Sequence, residues 1–530
     1  MRDTSPANAL RPAIRHPCSV NLPCMKFARA SGVLLHVTSL PGPHGSGDFG
    51  PSAYHYVDWL EAGGQTFWQI LPLGGIGLGN SPYMSSSAFA GNVLLVSLDE
   101  LHERGWLDAD DLQHHDGFDD QRVNFDAVIP FRMERLSRAA ARFQQSAAVH
   151  DTEDFNSFCT AHARWLDDYA LFMALAEIYG GQSWCDWDLL LAGRDPVALS
   201  QAGRTHAQRI AFWKFCQWRF LRQWLRLKDY ANARGVRIIG DTPIFIAHQS
   251  ADVWARPDLF QLNAAGQPTV VAGVPPDDFS ATGQRWGNPL YRWPAHVAEQ
   301  YQWWIERIRC TFELVDIVRI DHFRGFDSCW EIPADEPTAI HGRWVPAPGD
   351  ALFRAVAAAL GPLPVIAEDL GVITEEVDAL RKRHAFPGMQ VLQFAWSPDG
   401  VGHSRYLPHN HAADSVVYGG THDNNTALGW WQAAPEGMRH HLREYLATDG
   451  QDVAWDLIRA AFSSVAGLAI HPMQDVLRLS AEHRMNVPGV AEGNWGWRFS
   501  WSQVDASHAE QLRRMCLIYG RLPGRDWHTA

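Results

Sequence analysis

Three segments of this 530-residue chain each run as a β-like stretch into a carboxylate. Val-Asp-Ile-Val-Arg-Ile-Asp321 precedes His-Phe-Arg-Gly, and Pro-Val-Ile-Ala-Glu368 precedes Asp-Leu-Gly. Val-Val-Tyr-Gly-Gly-Thr-His422-Asp423 precedes Asn-Asn-Thr. A buried acid is costly unless it is paired or used. Acids at the carboxyl ends of several parallel strands converge at the top of a (β/α)8 barrel, where such barrels hold their active sites. Three converging carboxylates without a phosphate-cradling glycine loop point to glycoside chemistry.

Strand alternation puts Ile317, Arg319 and Asp321 on one face. A guanidinium beside a carboxylate favours its ionised form, which a nucleophile needs. A plain barrel ion pair is the competing reading. His322 and Arg324 follow at once, however, and so dense a polar cluster packs poorly. Transfer with retention also needs a protonated acid, about 5–5.5 Å from the ionised one. Glu368 follows Val-Ile-Ala, apolar surroundings that favour the protonated form. Asp369 is its rival, with helix capping as its plainer role. Only one of the two can face into the barrel, and the pattern leaves the choice open. Around Asp423, glycines let the backbone approach a ligand closely. His422 and Asp423 could bond adjacent sugar hydroxyls, or simply build an Asn/Asp-rich turn.

These residues need strands behind them. Eight apolar runs are predicted as strands: Val33–Val37, Phe67–Leu71, Val236–Gly240, Val315–Ile320, Val365–Ala367, Val391–Trp396, Val416–Gly420 and Leu468–Pro472. Several are continuously apolar, as strands buried on both faces should be. Helical stretches separate most of them, which predicts an α/β fold, a (β/α)8 TIM barrel. Two insertions are expected. One is helical, at about 97–205, with apolar periodicity over Phe131–Gln145 and Asp154–Tyr179. The other is loop-rich and cleft-forming, at 249–300. Ala211–Arg234 reads as the helix feeding the third strand. The tail after the last strand reads as loop and helix, with no C-terminal β-sandwich. Residues 25–530 are expected to form a single catalytic barrel domain. Residues 1–24 are expected to be disordered or a misannotated extension, with Met25 the start.

The 46% hydrophobic and 20% charged fractions are those of a soluble globular protein. A net charge of −14 disfavours nucleic acid and anionic membranes as partners. No apolar run reaches the roughly 18 residues of a membrane helix, and no secretory h-region appears. The eight cysteines are scattered without a Cys-x-x-Cys pair, which suits free thiols in a reducing cytoplasm. Most of the 24 tryptophans are expected in the core or between helices, but the surplus raises the expectation of a saccharide cleft, since aromatic rings are platforms for sugar faces.

Further segments, taken in order, carry a resemblance. They are Ser39-Leu-Pro, Trp68-Gln-Ile-Leu-Pro-Leu, Ser81-Pro-Tyr83, Gly240-Asp-Thr-Pro-Ile, Val271-Ala-Gly-Val-Pro-Pro-Asp and Gly283-Gln284-Arg-Trp286-Gly-Asn288-Pro. The three acid segments, Arg484-Met-Asn486 and Glu492-Gly-Asn494-Trp-Gly-Trp complete the set. Together they resemble glycoside hydrolase family 77, the amylomaltases or 4-α-glucanotransferases, over nearly everything after residue 28. Thr242 departs slightly, since a bulkier apolar residue is expected there. The resemblance implies Asp321 as nucleophile, Glu368 as acid/base and Asp423 as transition-state stabiliser. It implies that Tyr83, Asp241, Arg319, His322 and His422 hold the sugar in the cleaving subsite. Gln284, Trp286, Asn288 and Asn494 match acceptor-side or cleft positions. The implied reaction moves α-1,4-glucan segments between donor and acceptor maltooligosaccharides or glucose, with no cofactor and no metal, in maltose and glycogen metabolism. An α-1,4-glucan hydrolase of related fold is the alternative, and a non-catalytic glucan-binding protein the third reading.

Overall fold

Twelve strands are present among the residues that the computed structural model describes, 27–113, 115–276, 280–400 and 402–522. They are β1 (Ala30–Leu34), β2 (Phe67–Gln69), β3 (Arg237–Pro243), β4 (Val270–Val274), β5 (Gln284–Pro289), β6 (Ile317–Asp321), β7 (Ser328–Pro333), β8 (Arg343–Pro346), β9 (Val365–Ala367), β10 (Gly388–Val391), β11 (Ser415–Tyr418) and β12 (Leu468–Pro472). The expectation for residues 1–24 lies outside the described residues.

Eight strands form one parallel sheet in the order β10-β11-β12-β1-β2-β3-β6-β9. The amide of Ala367 in β9 donates to the carbonyl of Pro387, just before β10, at 2.9 Å. The Asp369 carboxylate also bridges this seam, accepting from the Met389 amide at 2.7 Å. A Cβ on Gly388 would stand 2.4 Å from an Asp369 oxygen, so only glycine admits that carboxylate. The architecture is a (β/α)8 barrel of the α/β class.

Each predicted run contributes to a barrel strand, but two are displaced by three residues. The first strand is Ala30–Leu34 rather than Val33–Val37, and Val37–Ser39 turn into a 3-10 helix. The sixth strand is not Val391–Trp396 but Gly388–Val391, and Leu392–Phe394 turn into a 3-10 helix. The seam needs Gly388 inside the strand. The chain then turns at the mouth, where the Gln393 amide donates to the Asn425 carbonyl at 2.7 Å.

Between β2 and β3 lie several helices. Phe125–Ser146 contains one predicted stretch. The other, Asp154–Tyr179, is two helices, Val149–Ala161 and Ala163–Ile178, broken at His162. The apolar spacing continues through the break and conceals it. Helix Ala207–Ala233 runs into β3, and its Trp218 and Trp224 are fully buried. Trp68, Trp254 and Trp304 are equally buried, so part of the tryptophan surplus is core.

The segment 249–300 is not only loop. β4 and β5 join β7 and β8 in an antiparallel sheet ordered β5-β4-β7-β8. The sequence hid it because Gly273, Gly287 and Pro289 interrupt these strands and glycine and proline are poor strand formers. The partner β7 also lies beyond β6 in the chain. Among the described residues no strand follows β12, and no helix is long and apolar enough to cross a membrane.

Candidate active site

Barrel register brings the acids together. β3 pairs with β6 so that Asp241 sits opposite Arg319. β6 pairs with β9 so that Ile320 sits opposite Ala367, and the next residues, Asp321 and Glu368, leave neighbouring strands at one level. Arg319 is buried and links two carboxylates. One guanidinium nitrogen donates to both Asp241 oxygens, at 2.8 and 2.6 Å. The other lies 3.0 Å from Asp321. Burial works against the Arg319 charge, but Asp241 and Asp321 outweigh it and hold its pKa well above the ordinary value. Asp321 keeps 28% of its side chain exposed to the cleft, whereas Asp241 keeps none.

Glu368 and Asp369 part company here. Asp369 is turned into the barrel seam, and Glu368 faces the mouth. Glu368 accepts from the His322 amide and the Leu370 amide, both at 2.8 Å. To present its N–H there, His322 adopts a left-handed backbone with φ 53°. Such strain costs about 1–3 kcal/mol and gathers at functional sites. Burial first, then the charge of Asp321, push the Glu368 carboxyl up to about 8. Arg319 and the Leu370 N–H pull the other way and lose. Burial likewise lowers the His322 imidazole to about 4, so it is neutral, and its buried Nε2 meets no protein partner.

A second chain of bonds reaches Asp423. The Tyr83 hydroxyl donates to Asp241 at 2.8 Å and lies 2.8 Å from His422 Nε2. Because the Tyr83 proton is committed to Asp241, His422 Nε2 must be the donor in that second contact. The same nitrogen lies 3.3 Å from an Asp423 oxygen. The other Asp423 oxygen accepts from Asn486 Nδ2 at 2.6 Å, and Arg484 donates to the Asp423 carbonyl at 2.9 Å. Asp321, Asp241 and Asp423 are thus tied at one barrel mouth through Arg319, Tyr83 and His422. Glu368 stands outside that chain, held by backbone amides, with its carboxyl pushed up to about 8 beside Asp321, an arrangement fit for acid–base and nucleophilic work on one bond.

The family model described as 4-alpha-glucanotransferase matches residues 35–504. The chain belongs to this family. Membership assigns it the family's enzyme activity. It is 48% identical over 506 residues to the 4-alpha-glucanotransferase of Thermus thermophilus, covering 94% of this chain and 100% of that one. It is 46% identical over 505 residues to the Synechocystis enzyme of the same description, covering 94% and 99%. In structure it is similar to an amylomaltase from Streptococcus agalactiae in complex with acarbose. The TM-score is 0.90 at 38% identity, covering 93% of this chain and 99% of that one.

Other residues expected at the site of a family member divide. Trp286 of β5 sets its ring edge-on to His322, with centroids 4.8 Å apart, and its indole donates to Gln284 at 3.2 Å. Asn288 is buried with its amide 3.7 Å from the sulfur of Met84, next to Tyr83. Asn494 stands apart. Its side chain accepts from the Val487 amide at 2.9 Å and donates to the Val490 carbonyl at 2.8 Å, clipping a loop. Its neighbour Trp495, not singled out from the sequence, packs on Tyr83 and His422 at centroid distances of 5.6 and 6.0 Å. Arg484 was missed as well, and Asn486 went unassigned. Neither ends a strand, so no pattern marked them. Among the described residues no cluster of three or more His, Cys, Asp or Glu could hold a metal ion.

The Asn486 contact makes a prediction. Asp423 is 42% exposed, and Asn486 fixes its free oxygen. Asn486→Ala should lower kcat by roughly ten- to a hundredfold, since a carboxylate displaced by about 1 Å costs on that order. The melting temperature should move little. Unchanged kcat in steady-state assays would show that Asp423 needs no such anchor.

Proposed function

We propose that the chain performs 4-α-glucanotransfer by a retaining double displacement at this site. Asp321 attacks the anomeric carbon of an α-1,4-glucan while Glu368 gives its proton to the departing glycosidic oxygen. A β-linked glycosyl ester forms on Asp321. Asp423 and His422 bond hydroxyls of the same ring, bonds that tighten as positive charge develops. Tyr83, Asp241, Arg319 and His322 hold that ring. Gln284, Trp286 and Asn288 face the acceptor side, and Asn494 shapes the cleft through the 487–494 loop. Glu368, now a carboxylate, takes the 4-hydroxyl proton of a second glucan as that oxygen attacks the anomeric carbon and displaces Asp321, which restores the α-linkage and the free carboxylate. Donors and acceptors are maltooligosaccharides, glucose and starch- or glycogen-type glucans. The reaction belongs to the cytoplasm. One observation carries the reading: Glu368 is pushed up to about 8 beside Asp321, so a proton donor and a nucleophile coexist at neutral pH.

Maltotriose tests it. Transfer yields glucose and a ladder of longer maltooligosaccharides on chromatography. If only shorter sugars appear, with reducing ends rising in step, the chain is a hydrolase.

The pH profile carries a sign. As pH rises through about 8, Glu368 loses the proton that the first step uses. kcat/KM should therefore fall on the alkaline side with an apparent pKa near 8, a value that belongs to the Asp321–Glu368 pair. Initial rates of glucose release across pH 5–10 read this (roughly the span over which such a limb is resolved). A profile that is flat at the alkaline end removes Glu368 as the donor.

A further inference from the structure

A cavity of about 160 Å3 lies between helix Ala163–Ile178 and helix Gln302–Leu314, and none of Asp321, Glu368 and Asp423 lines it. Its size suits a small ring, since an engineered cavity of about 150 Å3 accommodates benzene. Its walls, unlike that cavity's, are both aromatic and polar. Phe89 and Trp165 lie nearly parallel, 12° apart with centroids at 6.3 Å, and Trp303 meets Phe89 edge-on at 5.9 Å. The buried Trp165 indole N–H meets no acceptor in the protein. A buried donor left so is costly.

Five of the six charged wall residues have an ion-pair partner. Arg256 meets Glu299 at 3.0 Å, Arg164 meets Glu306 at 3.4 Å, and Asp168 meets Arg194 at 2.6 Å. That disfavours an ionic ligand, which would have to break such a pair. What remains for a ligand is chiefly the Gln302 amide, with Asp252 in the floor, whose carboxylate already takes the Ala88 amide at 2.8 Å and the Ser87 hydroxyl. Aromatic faces beside planar amide and carboxylate groups suit a neutral pyranose, whose C–H faces are apolar and whose edges carry hydroxyls.

We propose that this cavity is a second glucan-binding site, taking one glucosyl unit of an α-1,4-glucan outside the catalytic centre. The proposal rests on the α-glucan substrate of the reading above. Ser87 and Phe89 also line a neighbouring cavity walled by Tyr83 and Asp241, so the segment between Tyr83 and Phe89 adjoins both sites.

The test is a calorimetric titration of the Asp321→Asn chain with maltotetraose. Two classes of site per chain are expected. Adding Trp165→Ala should leave one class, and adding Gln302→Ala should weaken the second class several-fold, up to about tenfold, for a lost hydrogen bond. Trp165→Phe should keep the stacking and restore the second class in part. A single class in Asp321→Asn overturns the proposal. So do two classes left untouched by both Trp165→Ala and Gln302→Ala. Should Trp165→Ala fold poorly by circular dichroism, the exposed Gln302 variant decides. Consumption of the sugar during titration would fault the assignment of Asp321, not this site. The same titration is then read with glucose, which has no glycosidic linkage to break.

Discussion

Asp321→Asn is expected to lower maltotriose turnover by at least about 10⁴-fold, the order seen when a nucleophile is removed from a site whose members act as a unit. An amide oxygen cannot form the glycosyl ester. The fold should persist, because Asp321 is partly exposed and Arg319 keeps both bonds to Asp241. The measurement is initial rate with a thermal melt alongside. Near-normal disproportionation by a well-folded variant would take the nucleophile's role away from Asp321. Trapping sharpens the test. The parent chain, given a donor with a good leaving group and quenched in acid, should carry a glycosyl mass on the peptide containing Asp321.

Glu368→Gln should be expected to lose activity and gain stability together. Loss of general acid and base costs roughly 10²–10⁴-fold on natural glucans. Donors whose leaving group needs no proton, such as a glycosyl fluoride, should still react slowly in the first step. The stability change follows from linkage. The Glu368 carboxyl titrates near 8 in the folded chain against an ordinary value of 4.5. Between those values the folded state binds more protons than the unfolded state. Stability from this group is therefore fully present below about 4.5 and falls as pH rises towards about 8. Glutamine carries no charge to bury, so the variant should melt above its parent at pH near 8.5, with the gap closing towards pH near 4. A variant that melts lower than the parent at alkaline pH would mean that the Glu368 charge is not the burden its burial implies. Activity and stability pull apart in this way where a site is held under electrostatic strain.

The chain's own order of residues already determined a good deal. Parallel barrel strands are buried on both faces, so Val-Ile-Ala367 and Val-Val-Tyr418 read as continuous apolar runs that length and flanking turns identify. A carboxylate at or just beyond the end of such a run stands at the barrel's carboxyl end, as Asp321 and Glu368 do, and Asp423 follows its strand after a short Gly-Gly-Thr-His turn. The motif set around them carried the family.

Tertiary structure decided what depends on neighbours distant in sequence. The choice between Glu368 and Asp369 turned on a seam partner, Gly388, which lets Asp369 into the wall. The proton held on Glu368 at neutral pH comes from burial and from Asp321, 47 residues away in the chain, and no local pattern records either. Asn486 and Arg484 reach Asp423 from a segment without regular periodicity. The sheet of β4, β5, β7 and β8 is spread across β6 and broken by glycines, so its strands lack the alternation that marks a sheet locally. Local patterns record which face of an element is apolar. Register across strands sets which polar groups meet, and in this barrel the chemistry depends on those meetings.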